Sequence, residues 1–199
     1  MHIVLSNNSK IPVEFYKSGK FSKVYKIYKN SENSNNFRKY RNKVFIKTND
    51  IMKTCLYEFN TYRSIHYSIP YIEKLDTTDD NYDWYFMKQY QQGYLKKNLD
   101  NVQYGIYRVL QQYQMDIFVK AINTRKPYML LAINELYNRH TRIHRALSWQ
   151  LRNTLLDYFN LAYSYAESAI LDINPSNIAY YKGKLILLDI LATGFKRPF

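Results

Sequence analysis

The chain has 199 residues, a formal charge of +13, 46% apolar residues and one cysteine, Cys55. That apolar share excludes global disorder, and the length suits one compact domain or two small lobes. The lone cysteine excludes an intrachain disulfide, no apolar run is long enough for a membrane-spanning helix, and the opening MHIVLSNNSKIP is too polar for a signal peptide.

The default expectation is therefore a cytoplasmic protein, or one delivered into another cell by a dedicated secretion system. The positive charge favours polyanionic partners: nucleic acid, anionic membrane, acidic proteins or nucleotide phosphates. Lys17, Lys20, Lys23, Lys26 and Lys29 recur at close spacing and read as a solvated face. The 22 tyrosines read as a composition bias, because a phenol can fill a core or cover a surface.

In chain order, VEFYKSGKFSKVYKIYK (13–29) carries β-branched and aromatic residues on both sides of a glycine, the mark of a hairpin. A polar loop follows at 30–36, then a short apolar strand, KVFIK, at 43–47. From Ile51 the pattern turns helical, with Asn49 or Asp50 as cap. IPYIEKL and YDWYFMKQY read as two more strands, with DTTDDN turning between them. The second half predicts helices over 102–122, weakened by Gly105, over 127–138, and from a Ser148 cap to about Glu167. In the last of these Leu151, Leu155, Phe159 and Ala162 share one face. Two short strands, 178–181 and 185–188, then flank Lys182-Gly183. The order is α+β: strands with one inserted helix, then helices, then a hairpin.

The chemistry concentrates near the end. In D-I-N-P-S-N a carboxylate, Asp172, and an amide, Asn177, stand five positions apart, and the hairpin returns Asp189 to the same edge. Two carboxylates with an amide between them suit a hard cation such as Mg²⁺, which takes oxygen ligands and keeps water and phosphate as the others.

These residues resemble the protein-kinase-like superfamily, whose catalytic loop reads D-x-x-x-x-N and is followed by a hairpin and a metal-binding aspartate. The loop is similar to the D-x-H-P-x-N of small-molecule and atypical kinases. The first half resembles the family in order: S-G-K-F-S-K-V for the glycine-rich hairpin, with Gly19, Phe21 and Val24; V-F-I-K for the strand lysine, Lys47; Glu58 for the helix glutamate; and K-Q-Y-Q-Q-G-Y-L for the hinge, through Tyr90, Gly93 and Leu95. The resemblance spans 15–191. It implies a two-lobed protein-kinase-like fold with a truncated, mostly helical C-lobe: an N-lobe at 1–90, β-sheet plus one helix, and a minimal C-lobe at 91–199. It implies ATP and Mg²⁺ as cofactors. Lys47 would hold the α- and β-phosphates, steadied by Glu58. Asn177 and Asp189 would hold the metal, and Asp172 would orient the attacking hydroxyl and accept its proton. Val24, Met87 and Gln89 would line the nucleotide site with Gly19 and Phe21.

The sequence departs from that family at three places. One glycine remains in the loop, Ile170-Leu171-Asp172 replaces His-Arg-Asp, and Asp189-Ile190-Leu191 replaces Asp-Phe-Gly with only ATGFKRPF after it. Without the loop arginine, activity would not need activation-loop phosphorylation. In size the chain is similar to minimal bacterial effector kinases, such as the type III effector family that phosphorylates a host chaperone. The expected function is an ATP- and Mg²⁺-dependent protein kinase acting on a host protein, with that chaperone as one candidate substrate. The rivals are a pseudokinase or nucleotide-binding module, a small-molecule kinase, and a basic nucleic-acid binder. His140 and His144 lack a third ligand at metal spacing, Arg139, Arg142 and Arg145 read as a basic helix end, and Cys55 reads as a small apolar helix residue.

Overall fold

The computed structural model describes residues 1–18, 22–28, 31, 35–62 and 66–193. The molecule is mixed α+β and divides into two compact units, Met1–Asn60 with Tyr71–Gln89, and Thr61–Pro70 with Tyr90–Phe199.

The first unit is an antiparallel sheet built from β1 (His2–Val4), β2 (Lys10–Ser18), β3 (Ser22–Ile27), β4 (Lys43–Thr48), β5 (Ile72–Leu75) and β6 (Asp83–Lys88), in the order β1-β2-β3-β4-β6-β5. Sequence reasoning misses β1, which is three residues long and too short to show alternation. The sheet curls until its two edges meet. Leu5 bridges Thr77, and Val4 accepts from the N–H of Thr78 at 3.2 Å. Closure of this kind pairs edge groups that would otherwise stay open.

Outside the register shift between Phe15 and Lys17 of β2, strand alternation then sorts the side chains to two faces. Ile3, Ile11, Val13, Tyr25, Ile27, Phe45, Leu75, Trp84 and Phe86 fill the concave face as one buried cluster. The opposite face carries Val24, Val44, Ile46, Tyr85 and Met87, which the register places across from one another. Helix α1 (Ile51–Tyr62) starts where Asp50 accepts from the N–H of Met52 at 3.0 Å. It lies against this second face, its Thr54 hydroxyl 3.1 Å from the Tyr85 hydroxyl and its Tyr57 ring 5.9 Å from the Tyr85 ring.

The second unit is mainly helical. It contains α2 (Leu95–Asn98), α3 (Asn101–Thr124), α4 (Tyr128–Tyr137), α5 (Arg142–Ala146) and α6 (Trp149–Tyr165). The caps explain the starts: Asp100 accepts from the N–H of Gln103 at 2.8 Å, and Ser148 from that of Leu151 at 3.2 Å. Gly105 does not interrupt α3, which runs 24 residues on a buried stripe of Gln103, Tyr107, Leu110, Tyr113, Ile117 and Ala121. α3 packs on α4 and α5, and α4 on α6. The buried Tyr113 donates to the carbonyl of Ala132 at 2.5 Å, and its burial pushes the phenol pKa well above the usual range. No helix among the described residues is long and apolar enough to cross a membrane.

Two small ladders complete this unit. β7 (Ile170–Leu171) pairs with β10 (Leu191–Ala192), and β8 (Ile178–Tyr181) with β9 (Lys184–Leu187). The turn between β8 and β9 has φ of 50° at Lys182 and 75° at Gly183, the two positive values of a type I′ hairpin, and glycine meets the second at no cost.

Candidate functional site

The second unit assembles its candidates on one loop. β7 delivers the chain to Asp172, whose N–H donates to the carbonyl of Ile190 at 2.8 Å. A single turn of 3-10 helix, Pro175–Asn177, leads into β8, and the β8–β9 hairpin brings the chain back. The carbonyl of Asn177 then accepts from the N–H groups of Leu188 at 2.9 Å and Asp189 at 3.3 Å. Asp172, Asn177 and Asp189 are thus joined through main-chain bonds, and all three are half-buried. The predicted trio is one structural unit.

The side chains extend this network. The Asn177 amide nitrogen donates to the Asp172 carbonyl at 3.0 Å and to its Oδ2 at 2.9 Å. The Asn174 amide nitrogen donates to Asp172 Oδ1 at 2.7 Å. Both carboxylate oxygens therefore carry a donor, and the plane of the carboxylate is fixed. Asn174 Oδ1 accepts from the N–H groups of Ser176 at 2.9 Å and Asn177 at 3.2 Å, and from the Ser176 hydroxyl. From outside the loop, Gln114 of α3 accepts the N–H of Ile173 at 2.5 Å, and Gln92 donates to the carbonyl of Ser176 at 2.6 Å.

Asn177 gives its amide hydrogens to Asp172, which aims its Oδ1 away from that carboxylate, and no described residue donates to that oxygen. An amide oxygen on the residue that binds the main chain of Asp189, together with the Asp189 carboxylate, is the donor chemistry that Mg²⁺ takes. Among the described residues no three His, Cys, Asp or Glu side chains converge on a metal; the Asp-Asn-Asp set contains only two such groups.

The first unit does not arrange its candidates as expected. Lys47 stands across from Lys23 and Trp84, on the concave face, whereas Val24 and Met87 lie on the other. Its ammonium pairs with Asp79 Oδ2 at 2.7 Å and sits 4.5 Å from the centre of the Tyr82 ring and 5.4 Å from that of Trp84. Asp79 also accepts from the Trp84 indole at 3.0 Å and from the N–H of Asn81 at 3.3 Å. Burial pushes the Asp79 carboxyl up, but the bonds from Lys47 and Trp84 outweigh it and hold the group below its ordinary value. The expected Lys47–Glu58 pair is corrected here: the acid that pairs with Lys47 is Asp79. The physical reason is the two-residue strand period, which puts Lys47 on Phe45's side of the sheet and leaves α1, with Glu58, on the side of Ile46.

Glu58 is half-buried on α1, where with burial it pushes the Cys55 thiol up to about 12. Burial is the larger of the two causes, and the thiol is a protonated core group. Val24 is half-buried, Met87 is buried, and Gln89 is exposed past the end of β6, its N–H bonded to the carbonyl of Asn42 at 2.8 Å. Gly19 and Phe21 lie outside the described residues, as do Lys20 and Lys29 of the lysine series. His144 is bound through Nδ1 to the carbonyl of Leu136 at 2.9 Å, a packing contact at the end of α4.

Among the residues of these networks that sequence reasoning does not single out are Asp79, Gln114 and Asn174. Asn174 has a signal, since Asn-Pro-Ser is a turn starter whose side chain serves the N–H groups that follow. Asp79 lies in a segment that reads only as a turn, and Gln114 is one polar position in a long helix. Compared with family models, with curated proteins and with solved structures, the chain gives no match.

Proposed function

We propose that this protein is an ATP- and Mg²⁺-dependent phosphotransferase with a minimal kinase-like architecture, transferring a phosphoryl group to a protein hydroxyl. The observation that carries the proposal is the loop in which Asp172, Asn177 and Asp189 are tied together by main-chain bonds while Asn177 Oδ1 accepts from no described donor. The order of parts along the chain supports it too: a hairpin, a lysine strand, a helix, two further strands, then helices and a loop–hairpin–aspartate unit.

Roles follow from the chemistry. Asn177 and Asp189 would hold Mg²⁺, which when bound neutralises phosphate charge. Asp172, its carboxylate fixed in plane by two amide donors, retains lone pairs to accept and orient an acceptor hydroxyl. Phosphoryl transfer asks mainly for positioning and charge stabilisation, so a small fixed set suffices. The acceptor proposed is a host protein, a chaperone among the candidates, with the chain acting as a bacterial effector.

One observation favours a second reading, a nucleotide-binding module without turnover. Lys47 is held by Asp79 on the face away from Val24 and Met87. A phosphate lysine would have to leave that pair.

Transfer of label from ATP with Mg²⁺, in buffer and in a eukaryotic lysate, tests both. The expected outcome is labelling of discrete lysate proteins, lost in Asp172→Ala and in Asp189→Ala. ATP binding with no transfer under any condition supports the second reading, and no ATP binding overturns both.

A further inference from the structure

We propose that Asn174 is a positioning residue for Asp172, the group that couples the shape of the Pro175 turn to the aim of the carboxylate. Its kinetic consequence rests on the phosphotransfer reading above; its structural consequence does not.

The two ends of the Asn174 side chain do different work. Its oxygen serves the turn, accepting from the N–H groups of Ser176 at 2.9 Å and Asn177 at 3.2 Å. Pro175, the next residue, has no N–H and a fixed φ; the turn is closed by the Asn177 N–H on the Asn174 carbonyl at 3.0 Å, and the Asn174 side chain adds its own bonds to the same N–H and to that of Ser176. Its nitrogen serves Asp172, donating to Oδ1 at 2.7 Å. Asn177 takes the other carboxylate oxygen at 2.9 Å. With a single donor the carboxylate could rotate about its Cβ–Cγ bond, since that torsion is soft. With a donor on each oxygen it cannot rotate without breaking a bond.

An aliphatic residue at 174 would lose both functions, and a donor-only residue would lose the side-chain bonds to the turn while keeping its main-chain bond. Aspartate separates them. Asn174→Asp keeps an oxygen for Ser176 and Asn177 but sets a carboxylate against Asp172. The exchange Asp172→Asn with Asn174→Asp restores a donor–acceptor pair in the reversed sense. It also leaves the amide oxygen now at position 172 free to accept from the Asn177 amide.

The experiment is a thermal-melt cycle on the full chain over wild type, Asp172→Asn, Asn174→Asp and the double exchange, with steady-state transfer from ATP measured alongside. Each single change is expected to lower Tm, and the double exchange to restore it. In transfer, Asn174→Asp is expected to lower kcat about 10- to 100-fold, the scale of a misaimed catalytic group, with KM for ATP held within about twofold. A double exchange no more stable than the sum of the single changes overturns the contact. Wild-type kcat in Asn174→Asp overturns the positioning role, because a residue that only closed the turn would be satisfied by aspartate. If wild type transfers no phosphate, the reading of function has failed, and the melt cycle still decides whether Asn174 holds Asp172.

Discussion

Lys47 and Asp172 are read from the sequence by the same kind of motif, yet the two units treat them differently. Asp172 belongs to a loop whose other members stand two and five positions away, and the bonds that fix it run to those members. Lys47 belongs to a strand, where side chains alternate between faces and the partner, Asp79, arrives from a distant turn. Loop spacing carries chemistry directly, because the turn itself brings its residues together. Strand spacing carries chemistry only once the face is known, and one residue of register reverses the face.

The sharpest way to break this contrast is to remove each charge and read phosphoryl transfer. Asp172→Ala is expected to lower the rate about 10²- to 10⁴-fold, the range of a lost general base or orienting group. Lys47→Ala and Asp79→Ala are expected to resemble each other and to act mainly on stability. If Lys47→Ala matches Asp172→Ala in rate while Asp79→Ala is silent, Lys47 works on phosphate, and the pair with Asp79 is a resting contact only.

The same contrast explains what can be read in advance. Ser148 as a cap and the stripe Leu151, Leu155, Phe159, Ala162 are legible because helix starts and helix faces are local patterns. The β8–β9 hairpin is legible from Gly183 between two apolar runs, since glycine takes the positive φ of a two-residue turn without strain, although Lys182 adopts one as well. The curl of the first sheet is not legible. It depends on Leu5 meeting Thr77, a pairing between segments that carry no signal for each other. The Lys47–Glu58 expectation fails for that reason: it needs the faces of β4, which are set by the core that the curl encloses.

Gln114 sharpens the comparison from the helical side. This α3 side chain is bonded to the main chain of the catalytic-loop candidate, accepting the N–H of Ile173 at 2.5 Å. Gln114→Ala leaves that donor without its partner, and the expected loss is about 1–3 kcal/mol in denaturant unfolding. A loss well below that range would mean that water replaces the amide at no cost and that the loop stands without α3.

For the Lys47–Asp79 pair the expected coupling is smaller. Both side chains keep roughly a quarter of their surface in solvent, 23% and 24%, so a double-mutant cycle at neutral pH should give about 0.5–1 kcal/mol. The sign of its pH dependence is fixed. The Asp79 carboxyl is held below its ordinary value of 3.8, so the stability it adds is present above that value and is lost as pH falls through the lower folded one. Coupling unchanged in acid would mean the carboxylate is not the partner that matters.

The smallest effect belongs to His66, in the second unit. Its ring is buried at 6% exposure, lies 4.1 Å from the Tyr67 ring, and accepts the N–H of Ser68 on Nδ1 at 3.1 Å. An accepting Nδ1 places the proton of the neutral ring on Nε2, and a second proton would break the bond to Ser68. Burial holds the group below its usual 6.5, so the unfolded chain takes up the proton first as pH falls. Stability therefore declines from the usual histidine range down to the folded value, and levels off below it. His66→Asn offers an acceptor for the same N–H but does not titrate. Between about pH 7.5 and about pH 5.5, the range in which histidine changes charge, wild type should lose more Tm than His66→Asn. Parallel curves would mean that the ring takes up its proton as readily folded as unfolded. The bond from Ser68 would then not be what keeps this turn in place.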